Sequence, residues 1–441
     1  MNTKKLKKDL IKYIIPSMLA MMLSGFYSII DGLFIGNFTG NDALGAINMV
    51  WPLQCILSSM AIGLGIGSAV LMSMYNGEGR EKEADNVWGM GVLMLVSIGI
   101  IVPIIMLSFL SPLLDFLGAD GHLNALCRQY IVIILSGGIF ISLSNGLNPL
   151  IRNRGNTIGA TAIMSSGLVT NIVLDYFLVY KYPMGLFGAG LATMIAQAVV
   201  ACLSVIYLFK SNRHLFSKSN FVLRKSEVKK ICKIGISPFG QNLVPSLTIL
   251  FTNWKCIQYG GNAAVNIFSV VIYILTAIQL LLQGIGDGVQ PLFSFYYGAK
   301  KEKELHWIYR HAFALSIIVS VTSTFLTVRF AGVLSDTFGV VPEIRDMCIT
   351  AITIVAFSYT TLGISRLTCS FFYATGKSLV STILVYIEPC LLLPVLLSIM
   401  GALKGINGVW MTSPLVQFVL CMAALTMKLI LDKRKDQYHT I

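Results

Sequence analysis

The chain contains two copies of one pattern, separated by 221 positions. Residues 63–77 read GLGIGSAVLMSMYNG and residues 284–298 read GIGDGVQPLFSFYYG, and an ungapped alignment superimposes four glycines, a leucine, a serine and a tyrosine. The same offset aligns Gly155 with Gly376, far downstream of the first match. A register held this far along the chain indicates an internal duplication. The chain is therefore predicted to fold as two similar halves.

The composition indicates that both halves lie in a membrane. Hydrophobic residues make up 55% of the chain and charged residues only 12%, which is too little charge for the surface of a soluble protein of 441 residues. Continuously apolar stretches of about 20 residues, the length that crosses the hydrocarbon core as a helix, recur throughout. The predicted fold class is an all-α integral membrane protein of about twelve transmembrane helices in two six-helix lobes.

The longest polar segment lies midway along the chain and marks the boundary between the lobes. We predict an N-lobe at 1–210 with helices 1–6, a cytoplasmic linker at 211–229, and a C-lobe at 230–441 with helices 7–12. Because each lobe has an even number of spans, both have the same orientation, and the repeat is parallel. Internal repeats of this kind are typical of secondary transporters, which bind their substrates near the repeat interface.

The net charge of +13 is explained by topology. If both termini are cytoplasmic, most of the Lys and Arg residues fall in inside segments, as the positive-inside rule requires. The basic character therefore needs no nucleic-acid partner, and we expect a multi-pass protein of a bacterial cell inner membrane. The nine cysteines have no paired spacing and the five histidines no ligand spacing, so no cofactor is predicted.

A few polar residues lie within the predicted spans, where ionisable groups are costly and usually functional. Asp31 and Asp175 both lie near the outer ends of their helices. Asn171 lies one helical turn before Asp175 on the same face, and Ala189 and Thr193 are spaced likewise in the sixth span. Oxygen-bearing groups at one depth can hold a proton or a small hard cation such as Na⁺. Alternatively, the two carboxylates only cap or cross-link helices.

Three further charged residues lie in the second lobe. Asp287 interrupts the second glycine pattern. Arg366 and Glu388 lie ten and twelve residues on either side of the turn at Gly376, which places them at similar depth on neighbouring antiparallel helices. An intramembrane ion pair with a structural role is the preferred interpretation of Arg366 and Glu388. A place in a substrate cavity is the alternative for all three.

Several segments together resemble one transporter family. The stretches IIDGLFIGNFTGNDALGA, NIVLDYFLVY, MGLFGAGLATMIAQ and GIGDGVQPLFSFYYGAKK look like those of the multidrug and toxic compound extrusion (MATE) family, in order and spacing. The resemblance covers nearly the whole chain. It implies two six-helix lobes forming a V around a central cavity, and cation-coupled export of amphipathic, often cationic compounds.

The resemblance also implies a cation site in the N-lobe. The family places there an Asp of the first helix, an Asn and Asp in the fifth, and an Ala carbonyl and a Thr in the sixth. The matching positions are Asp31, Asn171, Asp175, Ala189 and Thr193. One branch has a further carboxylate in the seventh helix, but span 230–256 contains neither Asp nor Glu. This departure favours the DinF-like branch.

The expected function is thus antiport by alternating access, driven by H⁺ or Na⁺, in a monomer embedded in the lipid bilayer. A flippase for a lipid-linked precursor is one alternative, and it would need a cavity lined with Arg and Lys. An integral-membrane enzyme would need a cluster of His, Asp or Glu at one membrane face, which the sequence lacks. A channel has little support, because the halves offer no ring of filter residues.

Overall fold

The computed structural model of the chain describes residues 2–39, 41–211 and 213–439. It describes only the backbone at 26–38, 41–42, 44, 213, 218 and 434–439. Nearly all of these residues are helical, and no strand occurs among them. This confirms the all-α fold class, since in lipid a helix satisfies every backbone hydrogen bond within its own segment.

Fifteen α-helices follow one another along the described chain. They are α1 (Thr3–Thr39), α2 (Asn41–Gly77), α3 (Glu81–Ser108), α4 (Leu110–Leu117), α5 (Gly121–Ser136), α6 (Gly138–Asn153), α7 (Thr157–Asp175), α8 (Gly185–Ser211), α9 (Lys225–Gly298), α10 (Glu302–Arg329), α11 (Ala331–Thr337), α12 (Pro342–Ala356), α13 (Tyr359–Ala374), α14 (Ser378–Ile387) and α15 (Leu393–His439). Two π-helices, Tyr176–Lys181 and Glu388–Leu392, follow α7 and α14, and two short 3-10 helices precede α9.

Two of the long helices are interrupted by a glycine. Gly261 in α9 has φ 63° and Gly405 in α15 has φ 60°. Residues other than glycine rarely adopt this region of backbone conformation. Among the described residues, eight helices are long and apolar enough to cross a membrane. The helices α5 and α6, which meet at a bend of 57°, make a ninth if they are counted together as one span. Counting each interrupted helix as two spans and adding α1 gives the twelve crossings predicted from the sequence.

The contacts divide the chain into two compact units. Unit 1 consists of Met1–Met22, Val244–Phe293 and Lys303–Ile441, and unit 2 of Leu23–Leu243 and Ser294–Glu302. The first part of α1 thus belongs with the second-half helices, and the first part of α9 with the first-half helices. The lobes predicted from the sequence, with boundaries at 210 and 230, place the first part of α1 in the N-lobe and the first part of α9 in the C-lobe, and so differ from these two units.

The first copy of the repeated glycine pattern lets three helices of unit 2 pack with their backbones close together. A Cβ atom on Gly65 would lie 2.4 Å from the carbonyl oxygen of Gly146 in α6. A Cβ on Gly67 would lie 2.4 Å from the carbonyl oxygen of Ile231, in the first part of α9. Small residues at such positions are typical of helix packing in lipid.

The second copy has the equivalent role in unit 1. A Cβ atom on Gly288 would lie 2.8 Å from the Cα of Ile14, and one on Gly284 would lie 2.7 Å from the Cα of Met18, both in α1. The second copy thus contacts α1, and the first copy contacts the first part of α9, which is the repeat counterpart of α1. The duplicated glycines are explained by these two equivalent crossings.

An exposed ion pair joins α11 to α12 in unit 1. Arg345 donates from Nε to Asp336 Oδ1 at 2.5 Å and from a terminal nitrogen to Oδ2 at 2.8 Å. The Arg345 guanidinium holds the pKa of Asp336 below its ordinary value, chiefly through these hydrogen bonds. Because both side chains are exposed to solvent, the pair contributes little to stability.

Candidate functional site

The antiparallel pair α7 and α8 positions four of the five predicted N-lobe residues. Two close contacts fix the register of this pair. A Cβ on Gly167 would lie 2.2 Å from Val200 Cγ2, and the carbonyl oxygen of Leu178 would lie 2.6 Å from a Cβ on Gly188. Asn171 and Asp175 lie between these two contacts on the α7 side. Ala189 and Thr193 lie between the same two contacts on the α8 side, so the register places Asp175 and Thr193 at nearly the same level of the pair.

All four of these residues are withdrawn from the surface. Their exposed fractions are 2% for Asn171, 1% for Asp175, 1% for Ala189 and 6% for Thr193. A carboxylate this deeply buried must be protonated, hydrogen-bonded or balanced by a cation, since desolvation penalises its charged form. The burial is therefore compatible with a site whose occupancy by H⁺ or Na⁺ changes.

The fifth predicted residue, Asp31, belongs to α1 by its position in the chain, but its side chain lies outside the described residues. No group of three or more His, Cys, Asp or Glu that could hold a metal ion occurs among the residues described. A cation at α7 and α8 would therefore take its oxygen ligands from amide, hydroxyl and carbonyl groups as well as from Asp175.

A change of helix type follows Asp175 directly. Helix α7 ends at Asp175, and the next six residues, Tyr176–Lys181, form a π-helix. Single π-helical turns inside α-helical spans are rare and are frequent at functional sites. This feature places the buried carboxylate at a point where the backbone hydrogen-bond register changes.

One polar pair near this site was not predicted from the sequence. Ser144 in α6 donates a short hydrogen bond to the side-chain oxygen of Gln197, which lies one helical turn after Thr193 in α8. Ser144 is buried. A signal existed in the sequence, because an amide within the apolar run of α8 is unusual and marks a position that needs a partner.

Unit 1 contains a cavity that includes two of the three second-lobe charges. It encloses about 740 Å³ of empty space, part of it open to solvent, and Arg366 and Glu388 both line it. Glu388 accepts a 2.8 Å hydrogen bond from Nε2 of Gln417, which also lines the cavity. Gln417 was missed in the sequence, although it too is an amide within an apolar run.

The three second-lobe charges are all buried but not equivalent. Arg366 and Glu388 interact electrostatically, yet no hydrogen bond or direct ion pair joins their side chains in the described part of the chain. The ion pair considered from the sequence is therefore absent from this arrangement. Asp287 is 6% exposed and has partners of its own, but it does not line the cavity.

Glu388 has a position comparable to that of Asp175. Helix α14 ends at Ile387, and Glu388 is the first residue of the π-helix Glu388–Leu392. The eleventh span thus has a buried carboxylate at an α-to-π junction, as the fifth span has. The repeat offset does not reveal this, because 221 positions before Glu388 the chain has Gly167.

Comparison with known proteins adds a family and a fold. The family model described as MatE matches residues 16–177 and 239–399, one segment in each half of the chain. The multidrug export protein MepA of Staphylococcus aureus (strain NCTC 8325 / PS 47) is 25% identical over 429 residues, covering 97% of this chain and 94% of that protein. The MepA of Staphylococcus haemolyticus (strain JCSC1435) is 24% identical over 403 residues, covering 91% and 88%.

Solved structures agree with the fold. A crystal structure titled as MATE in the straight conformation matches with a TM-score of 0.92 at 22% identity, covering 98% of this chain and 97% of that one. An outward-facing multidrug resistance MATE family transporter of the MOP superfamily matches with a TM-score of 0.90 at 22% identity, covering 96% and 95%. This likeness confirms the helical fold with an internal repeat.

Proposed function

Because this chain belongs to the MatE family, we propose that it is a cation-coupled antiporter that exports amphipathic, often cationic compounds across the cytoplasmic membrane by alternating access. Membership of this family also confirms the expectation that the chain is a membrane transporter and no enzyme. The printed function of its staphylococcal relatives, multidrug export, supports the substrate class. Their bacterial origin supports a bacterial membrane protein.

The observation that carries the coupling proposal is the buried set on α7 and α8. Asn171 and Asp175 lie on one helix and Ala189 and Thr193 on the neighbouring antiparallel helix, and all four are almost inaccessible to solvent. Ionisable groups buried in a membrane protein are costly and often belong to proton or ion pathways, which supports this assignment. We include Asp31 in the same site because it matches the family pattern.

The proposed cycle alternates substrate and ion. Substrate enters from the cytoplasm, and the protein then opens outward. A proton or Na⁺ binds Asp175 and its neighbours from outside and changes the packing of the α7–α8 pair, which expels the substrate. The π-helix after Asp175 supports this step, since π-helical turns inside α-helices are frequent at functional sites. We further propose that the transporter is a monomer with both termini in the cytoplasm.

Replacing Thr193 by Val tests which ion is coupled. Valine keeps the shape but removes the hydroxyl oxygen, which a Na⁺ ion would use as a ligand and a proton on Asp175 would not need. We expect the Na⁺ concentration for half-maximal efflux to rise about ten-fold, the effect of losing one ligand worth about 1.4 kcal/mol. Efflux driven by a proton gradient alone should stay near the wild-type rate. The measurement is dye efflux from vesicles titrated with Na⁺ at constant pH.

The Thr193 experiment has a matched control. Thr350→Val removes a hydroxyl from the exposed face of α12, where Oγ1 donates only to the carbonyl oxygen of Asp346. The control should titrate like the wild type. A Thr193→Val protein with unchanged Na⁺ dependence would exclude the hydroxyl as a ligand of the ion.

A further inference from the structure

The cavity of unit 1 contains a buried cation whose hydrogen-bond donors are unused. The side chain of Arg366 lines the cavity in α13, and the residue is only 5% exposed. Its guanidinium makes no hydrogen bond or ion pair with any residue that the structure describes. An arginine carries five N–H donors in a fixed planar fork, so this residue of the lining has donors to offer to a ligand.

Such an arrangement is costly unless something accepts these hydrogen bonds. Buried polar groups in native proteins are almost always paired, and a buried charge that has lost its partner is strongly destabilising. Glu388 is the one acidic residue among those that line the cavity, but it accepts a hydrogen bond from Gln417 and forms no direct ion pair with Arg366. An acceptor that fits between these walls would remove the cost.

The charge of the cavity selects among ligands. Arg366 and Glu388 are the two charged residues among those that line it, one of each sign. A purely cationic ligand would be attracted by Glu388 but repelled by Arg366, whereas a ligand with one charge of each sign would satisfy both. The guanidinium fork matches a carboxylate in particular, because the two planar groups form parallel hydrogen bonds.

The remaining walls suit an apolar, planar ligand body. Most of the lining residues are aliphatic or aromatic, and the rings of Phe268 and Trp410 stack in the wall with centroids 6.2 Å apart. Pockets for drug-sized molecules have mostly apolar walls, with polar groups that set the orientation of the ligand.

We propose that the unit 1 cavity is a binding subsite for amphipathic zwitterions, with the ligand carboxylate held by Arg366 and its cationic part near Glu388. This inference rests on the proposed export function for its physiological meaning and narrows the substrate class. It also gives the second lobe a task of its own, distinct from ion coupling at α7 and α8.

The test uses two dyes that differ only at the carboxyl group. Rhodamine 110 has a free carboxylate and a cationic ring system, and rhodamine 123 is its methyl ester, which keeps only the cation. Binding to purified full-length protein in lipid nanodiscs is measured by fluorescence anisotropy at neutral pH. We expect the wild type to bind rhodamine 110 more tightly than the ester. Arg366→Gln should reduce this preference about ten-fold or more, the effect of losing a charge-assisted hydrogen-bonded pair.

Two further variants separate recognition from misfolding. Arg366→Lys keeps the charge but loses the planar fork, so it should retain part of the preference for the acid. Arg345→Gln removes an exposed arginine outside the cavity and should leave the ratio of the two dissociation constants unchanged. If Arg366→Gln does not fold, the wild-type preference for rhodamine 110 over its ester still tests the proposal.

Three results would overturn the proposal. These are equal affinity of the wild type for acid and ester, a parallel loss of both in Arg366→Gln, and tight binding of pyrophosphate that displaces rhodamine 110. The last would indicate a site for a diphosphate head group. Because the assay measures binding without a gradient, its outcome is independent of whether export is coupled to an ion. Gradient-driven efflux of ethidium, a dye without a carboxylate, tests that coupling separately.

Discussion

Replacing Asp175 by Asn is expected to abolish ion-driven accumulation against a gradient. Asparagine has nearly the same shape and can keep hydrogen bonds to its neighbours, but it cannot bind a proton or balance a cation. One charge moving through 100 mV supplies about 2.3 kcal/mol, enough for a concentration ratio of roughly fifty-fold. We expect this ratio to fall to about one in the variant. The measurement is the steady-state ethidium gradient in proteoliposomes with an imposed ion gradient.

The matched control for this experiment is Asp115→Asn. Asp115 is an exposed carboxylate in α4 of the same unit, so its removal changes the net charge by the same amount without touching the α7–α8 pair. The control should maintain the wild-type gradient. Size-exclusion chromatography must show both variants to be monodisperse. A wild-type dye gradient in the Asp175→Asn protein would refute the assignment of coupling to this residue.

Replacing Gly65 by Ala is expected to destabilise the protein strongly for so small a change. The added methyl group would lie 2.4 Å from the carbonyl oxygen and 2.7 Å from the Cα of Gly146, both backbone atoms that no side-chain rotation can move. The two helices must separate, and overpacking of this kind costs about 1–3 kcal/mol. We expect a clear fall in the temperature at which half of the purified protein aggregates on heating.

Helix α2 also provides a control, a second Gly→Ala change for which no loss of stability is expected. Gly45 is an exposed residue of α2, and a Cβ atom there would have no neighbour within 4 Å. Alanine in an unobstructed helix position is favoured over glycine by about 0.5–1 kcal/mol, so Gly45→Ala should leave stability unchanged or raise it. An equal fall for both variants would contradict the account, because the crossing with α6 would then not explain the result at Gly65.

The repeated glycines show what a sequence can and cannot predict about this fold. Gly65 and Gly67 recur at the repeat offset as Gly286 and Gly288, and glycine at these four positions indicates close helix packing. The offset does not reveal which helix packs against each copy. That the first copy contacts the start of α9 and the second the start of α1 depends on which long-range packing is more favourable, and a repeat allows either.

The two candidate sites differ in the same way. Asn171 and Asp175 were identifiable because polar residues four apart in an apolar run share one helix face. The grouping of Arg366, Glu388 and Gln417 around one cavity was not, because these residues lie far apart in the sequence and Gln417, the hydrogen-bond partner of Glu388, follows it by 29 positions. Nor does the sequence reveal the π-helix that begins at Glu388, since the change of hydrogen-bond register depends on neighbouring helices rather than on local propensity.

We assign different tasks to the two halves because their buried charges are not duplicated with the framework that they share. Asp175 in unit 2, and Arg366 and Glu388 in unit 1, have no charged counterpart at the repeat offset, where the chain has Leu396, Asn145 and Gly167. The framework is duplicated because both halves need the same helix crossings. The charges are not duplicated. This difference agrees with our assignment of ion coupling to one half and of carboxylate recognition to the other.

The central claim, that the chain couples export to an inward ion gradient, is tested most directly by efflux of ethidium from proteoliposomes containing the wild-type protein. A proton gradient and a Na⁺ gradient are imposed separately, each with the other ion at equal concentration on both sides. We predict that at least one gradient accelerates efflux, and that dissipating it with an ionophore returns the rate to that of protein-free liposomes. Efflux at the same rate with either gradient, with both and with neither would contradict the account.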